Sequence, residues 1–234
     1  MMIFLSIIFW LLLYISVIIL VGTYVILSFF IKDKEFIARC TVVWSRFVMW
    51  ALKFIVGIDY EIIDRERIPK QPCIIACKHQ SMWETIIFHT LFLSPVYIYK
   101  KELLKIPVYG WYVSRMNCIK VDRSAGSSAL KDMLKQTKSY LSKGYNIVIF
   151  PQGTRVPYNA NSDKFPYQVG IAAMYLSANV CVVPAVLDSG KFWDKSMIMK
   201  RRGTIKLRFL EPIKPGLDKK EFMEILENRM ENFN

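Results

Sequence analysis

The sequence predicts an α/β domain, a mostly parallel or mixed sheet covered by helices, preceded by a membrane-associated segment of two helices. Three observations carry that class. Residues 1–31 hold no charged side chain, short apolar runs alternate with stretches of helical period from residue 58 onward, and the middle of the chain is its most basic part. Strands alternating with helical patterns indicate a sheet with helices packed on its faces. At 234 residues, without a long linker or internal repeat, the chain suits one domain of catalytic size, 58–234, behind an N-terminal appendage, 1–57.

Taken in order, residues 2–31 make a helix of about 45 Å, against roughly 30 Å of bilayer hydrocarbon. The run is too long for a secretory signal, lacks a basic leader, and is not followed by a small-residue cleavage site. Lys32 and Lys34 follow it, with Arg39, Arg46 and Lys53 beyond. The bias of positive charge toward the cytoplasm therefore predicts an anchor in the inner membrane with everything downstream facing the cytoplasm. Residues 38–56 interleave Trp44, Phe47, Trp50 and Phe54 with basic residues and read as an amphipathic interfacial helix. Whether the first helix spans, or dips into one leaflet and returns through the second, is left open. After Gly57, strands are predicted at 58–63, 73–77, 96–99, 118–121, 146–150, 180–187 and 204–210. Helices are predicted at 82–93, 107–114, 127–142, 168–177 and 218–233, the last with Phe222, Ile225, Leu226, Met230 and Phe233 on one face.

The whole net charge of +13 falls on residues 32–234, and residues 71–150 carry eleven Lys or Arg against four Asp or Glu. An anionic substrate, an anionic carrier or an anionic bilayer surface suits that balance. A nucleic-acid partner fits the charge alone, but the membrane segment argues against it. The five cysteines have no zinc-knuckle spacing and lie mostly in apolar runs, so they read as reduced thiols in a domain facing the cytosol.

Chemistry concentrates where strand 73–77 runs into the next helix. Ser81 and Glu84 have the spacing of a capping box, in which the hydroxyl takes the Glu84 backbone N–H. That start leaves His79 in the turn, free to fold back onto the Glu84 carboxylate. A histidine held by a carboxylate is the arrangement of a general base, since the acid fixes the tautomer and stabilises the imidazolium. The competing reading is a helix cap beside a surface histidine. His89, the other histidine, falls in an apolar helix and is expected to be packed and hydrogen-bonded.

Ligands of such sheets bind beyond the carboxyl ends of the strands. The loops there carry Lys100-Lys101-Glu102-Leu103, Asp122-Arg123, Pro151-Gln152-Gly153-Thr154-Arg155 and Asp188-Ser189-Gly190. Gly153 permits a tight turn and Arg155 offers a planar fork for a phosphate. Phe192, Trp193 and residues 197–202 mix aromatic, apolar and basic side chains, and are expected to make a second membrane contact rather than a surface hairpin.

With these residues assembled, the chain resembles the glycerolipid acyltransferases, most closely the bacterial 1-acyl-sn-glycerol-3-phosphate acyltransferases, over about residues 58–216. Four ordered blocks carry the resemblance. His79-Gln80-Ser81-Met82-Trp83-Glu84 matches the family's histidine-x4-acid motif. Lys100 to Leu103 with Pro107, Gly110 and Val121-Asp122-Arg123 matches the second block. Phe150 to Arg155 matches the third, and Val183-Pro184-Ala185 the fourth. The resemblance implies transfer of a fatty acyl group from an acyl carrier protein or coenzyme A thioester to the sn-2 hydroxyl of lysophosphatidic acid, forming phosphatidic acid without an acyl-enzyme. It implies His79 as base oriented by Glu84, Lys100, Arg123 and Arg155 around the acceptor's phosphate, and Gln152, Gly153 and Thr154 in the acceptor-site loop. It places Pro184 on the acyl-chain side, and requires no metal and no cofactor.

Two positions depart from the family pattern. Glu84 stands where an aspartate is usual, and Gln152 where a glutamate is usual. An amide holds no charge, so a different acceptor, a lyso-aminolipid or another lysophospholipid, is the alternative. A hydrolase using Ser81 as nucleophile lacks the expected Gly-x-Ser-x-Gly elbow, and a catalytically silent membrane adaptor is disfavoured by the intact His79–Glu84 pair.

Overall fold

Pattern and strand order together set the architecture. The structure, a computed structural model, describes residues 1–28, 34–105, 109–122, 125–160, 162–194 and 199–232. Helix α1 (Met2–Ser28) is the charge-free segment, and its Met2–Val25 stretch is long and apolar enough to cross a membrane. Helix α2 (Lys34–Ala51) continues into a π-helical turn, Leu52–Val56, that Gly57 closes. The two helices run back to back. Trp44 Nε1 donates to Ser16 Oγ at 3.0 Å, and Phe9 and Leu13 share one apolar cluster with Val48, Met49 and Leu52. The N-terminal half of α1 and the C-terminal end of α2 therefore rest on the domain together.

The strands are β1 (Ile58–Ile63), β2 (Ile74–Cys77), β3 (Val96–Lys100), β4 (Cys118–Val121), β5 (Ile147–Ile149), β6 (Val182–Leu187) and β7 (Gly203–Phe209). They form one sheet in the order β1-β7-β6-β2-β5-β3-β4. Strands β6, β2, β5, β3 and β4 are mutually parallel, and β7, with β1 parallel to it, runs against β6. A mixed sheet results, with the carboxyl ends of five strands on one rim and β2 flanked by β6 and β5.

The helices between strands are α3 (Trp83–Leu91), α4 (Tyr109–Arg115), α5 (Gly126–Ser142), α6 (Gly170–Ala178), α7 (Ser189–Phe192) and α8 (Lys219–Glu231). Strand alternation sorts them into two layers. Ile75 and Cys77 of β2, with Cys73 before it, join the cluster containing α1, α2 and α3. Ile74 and Ala76 join the cluster of Met133 and Leu141 from α5, Ile171 and Tyr175 from α6, and Phe222, Leu226 and Met230 from α8. Each fully buried Ile, Leu, Phe or Met among these contributes about 1.5–3 kcal/mol. Asp218 caps α8 by accepting from the Lys220 and Glu221 N–H groups, and Glu221 answers.

Two residues of the 192–202 segment, Trp193 and Lys200, differ from expectation. Trp193 is fully buried, edge-on to Phe9 at 5.6 Å and to Trp10 at 5.7 Å between ring centroids. Lys200 is fully buried too, its Nζ 4.1 Å from the Trp10 ring centroid, 4.8 Å from Trp193 and 5.0 Å from Phe9, and its N–H donates to Ser6 Oγ. Trp193 and Lys200 thus turn inward onto α1 rather than outward to lipid, because three aromatic faces stabilise an ammonium that an apolar pocket alone would reject. Residues 195–198 lie outside the described residues.

Candidate active site

The rim loop after β2 begins with Lys78, whose N–H pairs with the Ala185 carbonyl of β6 and whose Nζ bridges to Glu231 of α8 at 2.9 Å. Tyr167 donates to the other Glu231 oxygen at 2.7 Å. His79 follows, its carbonyl accepting the Val156 N–H at 2.8 Å, which ties it to the loop after β5. The imidazole stacks on Phe150, with centroids 4.1 Å apart and planes 16° from parallel. Nδ1 lies 3.6 Å from Glu84 Oε2 and has no hydrogen-bond partner among the described residues. The histidine and acid predicted to meet are therefore brought together, a few tenths of an ångström beyond hydrogen-bond reach.

Glu84 is wholly buried, and local chemistry compensates. Its Oε1 accepts from the Gln80 N–H at 3.1 Å, its Oε2 from the Ser81 N–H at 3.0 Å and the Ser81 hydroxyl at 3.1 Å, and Ser189 Oγ donates to Oε1. Burying an unpaired carboxylate is costly, whereas one with four donors is satisfied. The expected capping box is only half present. Glu84 does accept the Ser81 N–H, but helix α3 starts two residues after Ser81, so the hydroxyl accepts the Trp83 N–H at 3.0 Å and also points at the carboxylate. A nucleophilic role for Ser81 has no support, since that hydroxyl is fully buried and engaged with Glu84, Ser189 and Trp83. Burial pushes the Cys77 thiol well above its ordinary value and the Glu84 charge adds to this, so Cys77 is an inert thiol under the rim.

The remaining predicted residues are placed as follows. Gly153 takes φ +68°, with its N–H on the Phe150 carbonyl at 2.9 Å, which makes the tight turn that a side chain there would strain. Thr154 is exposed and Arg155 half-buried, directly before the Val156 that holds His79. Gln152 is buried. Its Nε2 donates to the Phe165 carbonyl at 3.2 Å, while Oε1 has no partner among the described residues. Lys100 is exposed at the end of β3, which β5 separates from β2. Arg123 lies outside the described residues. Pro184 is not on the rim. It is buried inside β6 opposite Ala76, with its carbonyl accepting the Leu210 N–H. Phe150 and Ser189 carry no individual signal in the sequence, because their relation to His79 and Glu84 depends on β5 and β6 flanking β2.

The acyltransferase family model matches residues 59–188. The 1-acyl-sn-glycerol-3-phosphate acyltransferase of Pseudomonas aeruginosa is 38% identical over 185 residues, covering 77% of this chain and 71% of that protein. The human 1-acyl-sn-glycerol-3-phosphate acyltransferase beta is 27% identical over 166 residues, covering 70% of this chain and 59% of that one. The crystal structure of a 1-acyl-sn-glycerophosphate acyltransferase from Thermotoga maritima superposes with a TM-score of 0.74 at 20% identity, over 97% of this chain and 94% of that chain, a likeness of fold.

Proposed function

The chain belongs to the acyltransferase family, and from that premise we propose that it transfers a fatty acyl group from an acyl carrier protein or coenzyme A thioester to the sn-2 hydroxyl of 1-acyl-glycerol-3-phosphate, forming phosphatidic acid. The observation that carries this reading is His79 Nδ1 facing the wholly buried Glu84 carboxylate at 3.6 Å on the rim where five strands end. With Nδ1 turned to the acid, Nε2 on the other side of the ring takes the acceptor's hydroxyl proton. The oxygen attacks the thioester carbonyl, the C–S bond breaks as the ester C–O bond forms, and the imidazolium returns the proton to the leaving sulfur. Closing the His79–Glu84 gap when substrate binds stabilises that imidazolium. Lys100, Arg123 and Arg155 are the proposed phosphate contacts, and the 152–154 turn lies beside the acceptor. The step needs no metal or cofactor beyond the thioester itself. In this reading the enzyme sits on the inner membrane with the rim toward the cytoplasm, a reading supported by the long apolar helix α1.

His79→Ala, assayed in membranes with labelled acyl donor, is expected to lose about 10²–10⁴-fold in rate. Acylation at the unmodified rate would remove His79 as the base. Gln152 motivates a second reading in which the acceptor is another lysolipid. Its amide donates to a carbonyl, which the carboxylate usual at this position does not do. Crossing both thioesters with lysophosphatidic acid and a lyso-aminolipid in one assay separates the two readings and identifies the donor.

A further inference from the structure

Glu84 has three donors from its own loop, the N–H groups of Gln80 and Ser81 and the Ser81 hydroxyl, and one from far away in sequence, the Ser189 hydroxyl. The local donors travel with the loop. Ser189 comes from the end of β6 and is itself held firmly. Asp188 Oδ1 accepts the Lys206 N–H of β7 at 2.8 Å, and the Ser189 carbonyl accepts the Trp193 N–H at 2.8 Å. Gly190 donates its N–H to Gln80 Oε1 at 3.0 Å, and approaches so closely that an added Cβ would stand 3.0 Å from Gln80 Cβ. The β6 loop is thus fastened directly to the catalytic turn.

Proton counting gives Ser189 a second task. Ser81 has a single hydroxyl proton and two acceptors in reach, Glu84 Oε2 and Ser189 Oγ, each at 3.1 Å. It donates to one at a time. When the proton points at Oε2, it competes with His79 for the oxygen that faces Nδ1. When it points at Ser189, which in turn donates to Oε1, Oε2 keeps one backbone N–H and is open to the imidazole. We propose that Ser189 is a positioning residue of the His79–Glu84 pair: it anchors the carboxylate through Oε1 and accepts the Ser81 hydroxyl, leaving Oε2 free for His79. The proposal rests on His79 acting as the base. It also accounts for how a glutamate, a methylene longer than the usual aspartate, is kept in place here.

The test is a double-mutant cycle on the full-length protein in membranes, assayed with lysophosphatidic acid. Ser189→Ala is expected to lower kcat about tenfold with KM for the acceptor unchanged, and to move the acid limb of the pH–rate profile to lower pH, because the Ser81 hydroxyl then competes with the imidazolium for Oε2. Ser189→Thr, which keeps the hydroxyl, is expected to recover most of the rate. In the Ser81→Ala background, where no hydroxyl competes for Oε2, the further loss from Ser189→Ala is expected to shrink to about twofold or less. Multiplicative losses across the cycle, or an unmoved acid limb, would overturn the proposal by assigning Ser189 to packing alone. His79→Ala in the same assay keeps the two ideas apart. If it is silent while Ser189→Ala is unaffected, only the role of Ser189 falls, whereas full activity in His79→Ala removes the base and the positioning residue together.

Discussion

Glu84 and His89 are both buried ionisable groups, and their surroundings treat them in opposite ways. The acid collects four donors, whereas His89, expected to be packed and hydrogen-bonded, is packed beside Tyr97 with its Nδ1 unpartnered among the described residues. Burial lowers its pKa to about 4 from an ordinary 6.5. Above pH 6.5 His89 is neutral in the folded and the unfolded chain, and nothing is lost. Below it the unfolded chain takes up the proton first, so stability drains away until about pH 4, by about 3 kcal/mol in all. Thermal melts between pH 7 and 4 should show that decline, and in His89→Leu the decline should be shallower by about that amount. At this scale the sequence was informative where spacing is local. His79 and Glu84 could be paired because a helix start between them folds the turn back. Ser189 could not be paired with Glu84, since 105 positions separate them and only the adjacency of β6 and β2 closes the distance.

Among the elements, helices and strands appeared close to where periodicity put them, and the errors sit at ends. Strand β5 is the three residues Ile147–Ile149 rather than five, as Phe150 leaves the ladder to lie under the His79 ring. The misread residues are Trp193 and Lys200 of the 192–202 segment. The segment's mixture of Trp, Met and Lys suits a lipid interface and an aromatic cage equally well, and only the position of α1 distinguishes them. Burial lowers the Lys200 pKa to about 7, with Asp194 pulling it the other way. The folded value lies below that of the unfolded chain, so between about pH 7 and the ordinary lysine value of 10.5 the unfolded state binds more protons and stability rises with pH. The gain should appear as an upward drift of the melting midpoint across that window in detergent, and should vanish in Lys200→Met. A flat profile in the unmodified protein would mean that the cage favours the ammonium as strongly as water does.

For the whole molecule, composition and alternation were enough for an α/β sheet with an apolar leader, but not for its strand order, which depends on long-range pairing that no local pattern encodes. That order is what sets β2 between β5 and β6 and gathers the rim loops. It also makes the two layers unlike. The hairpin of α1 and α2 shares its layer with α3 and leaves Val43, Phe47, Trp50 and Phe54 exposed, while α5, on the opposite face, exposes Lys131, Lys135 and Lys138.

A slab with one greasy side and one charged side, and its chemistry along the edge between them, would work at a phase boundary if the greasy side rests on lipid as proposed. The acceptor then arrives by lateral diffusion in two dimensions and the thioester from three. Turnover should follow the mole fraction of acceptor in the surface rather than its bulk concentration. Diluting lysophosphatidic acid with inert lipid in mixed vesicles, at constant total acceptor, should slow the enzyme in proportion, and an unchanged rate would mean that the acceptor is drawn from water.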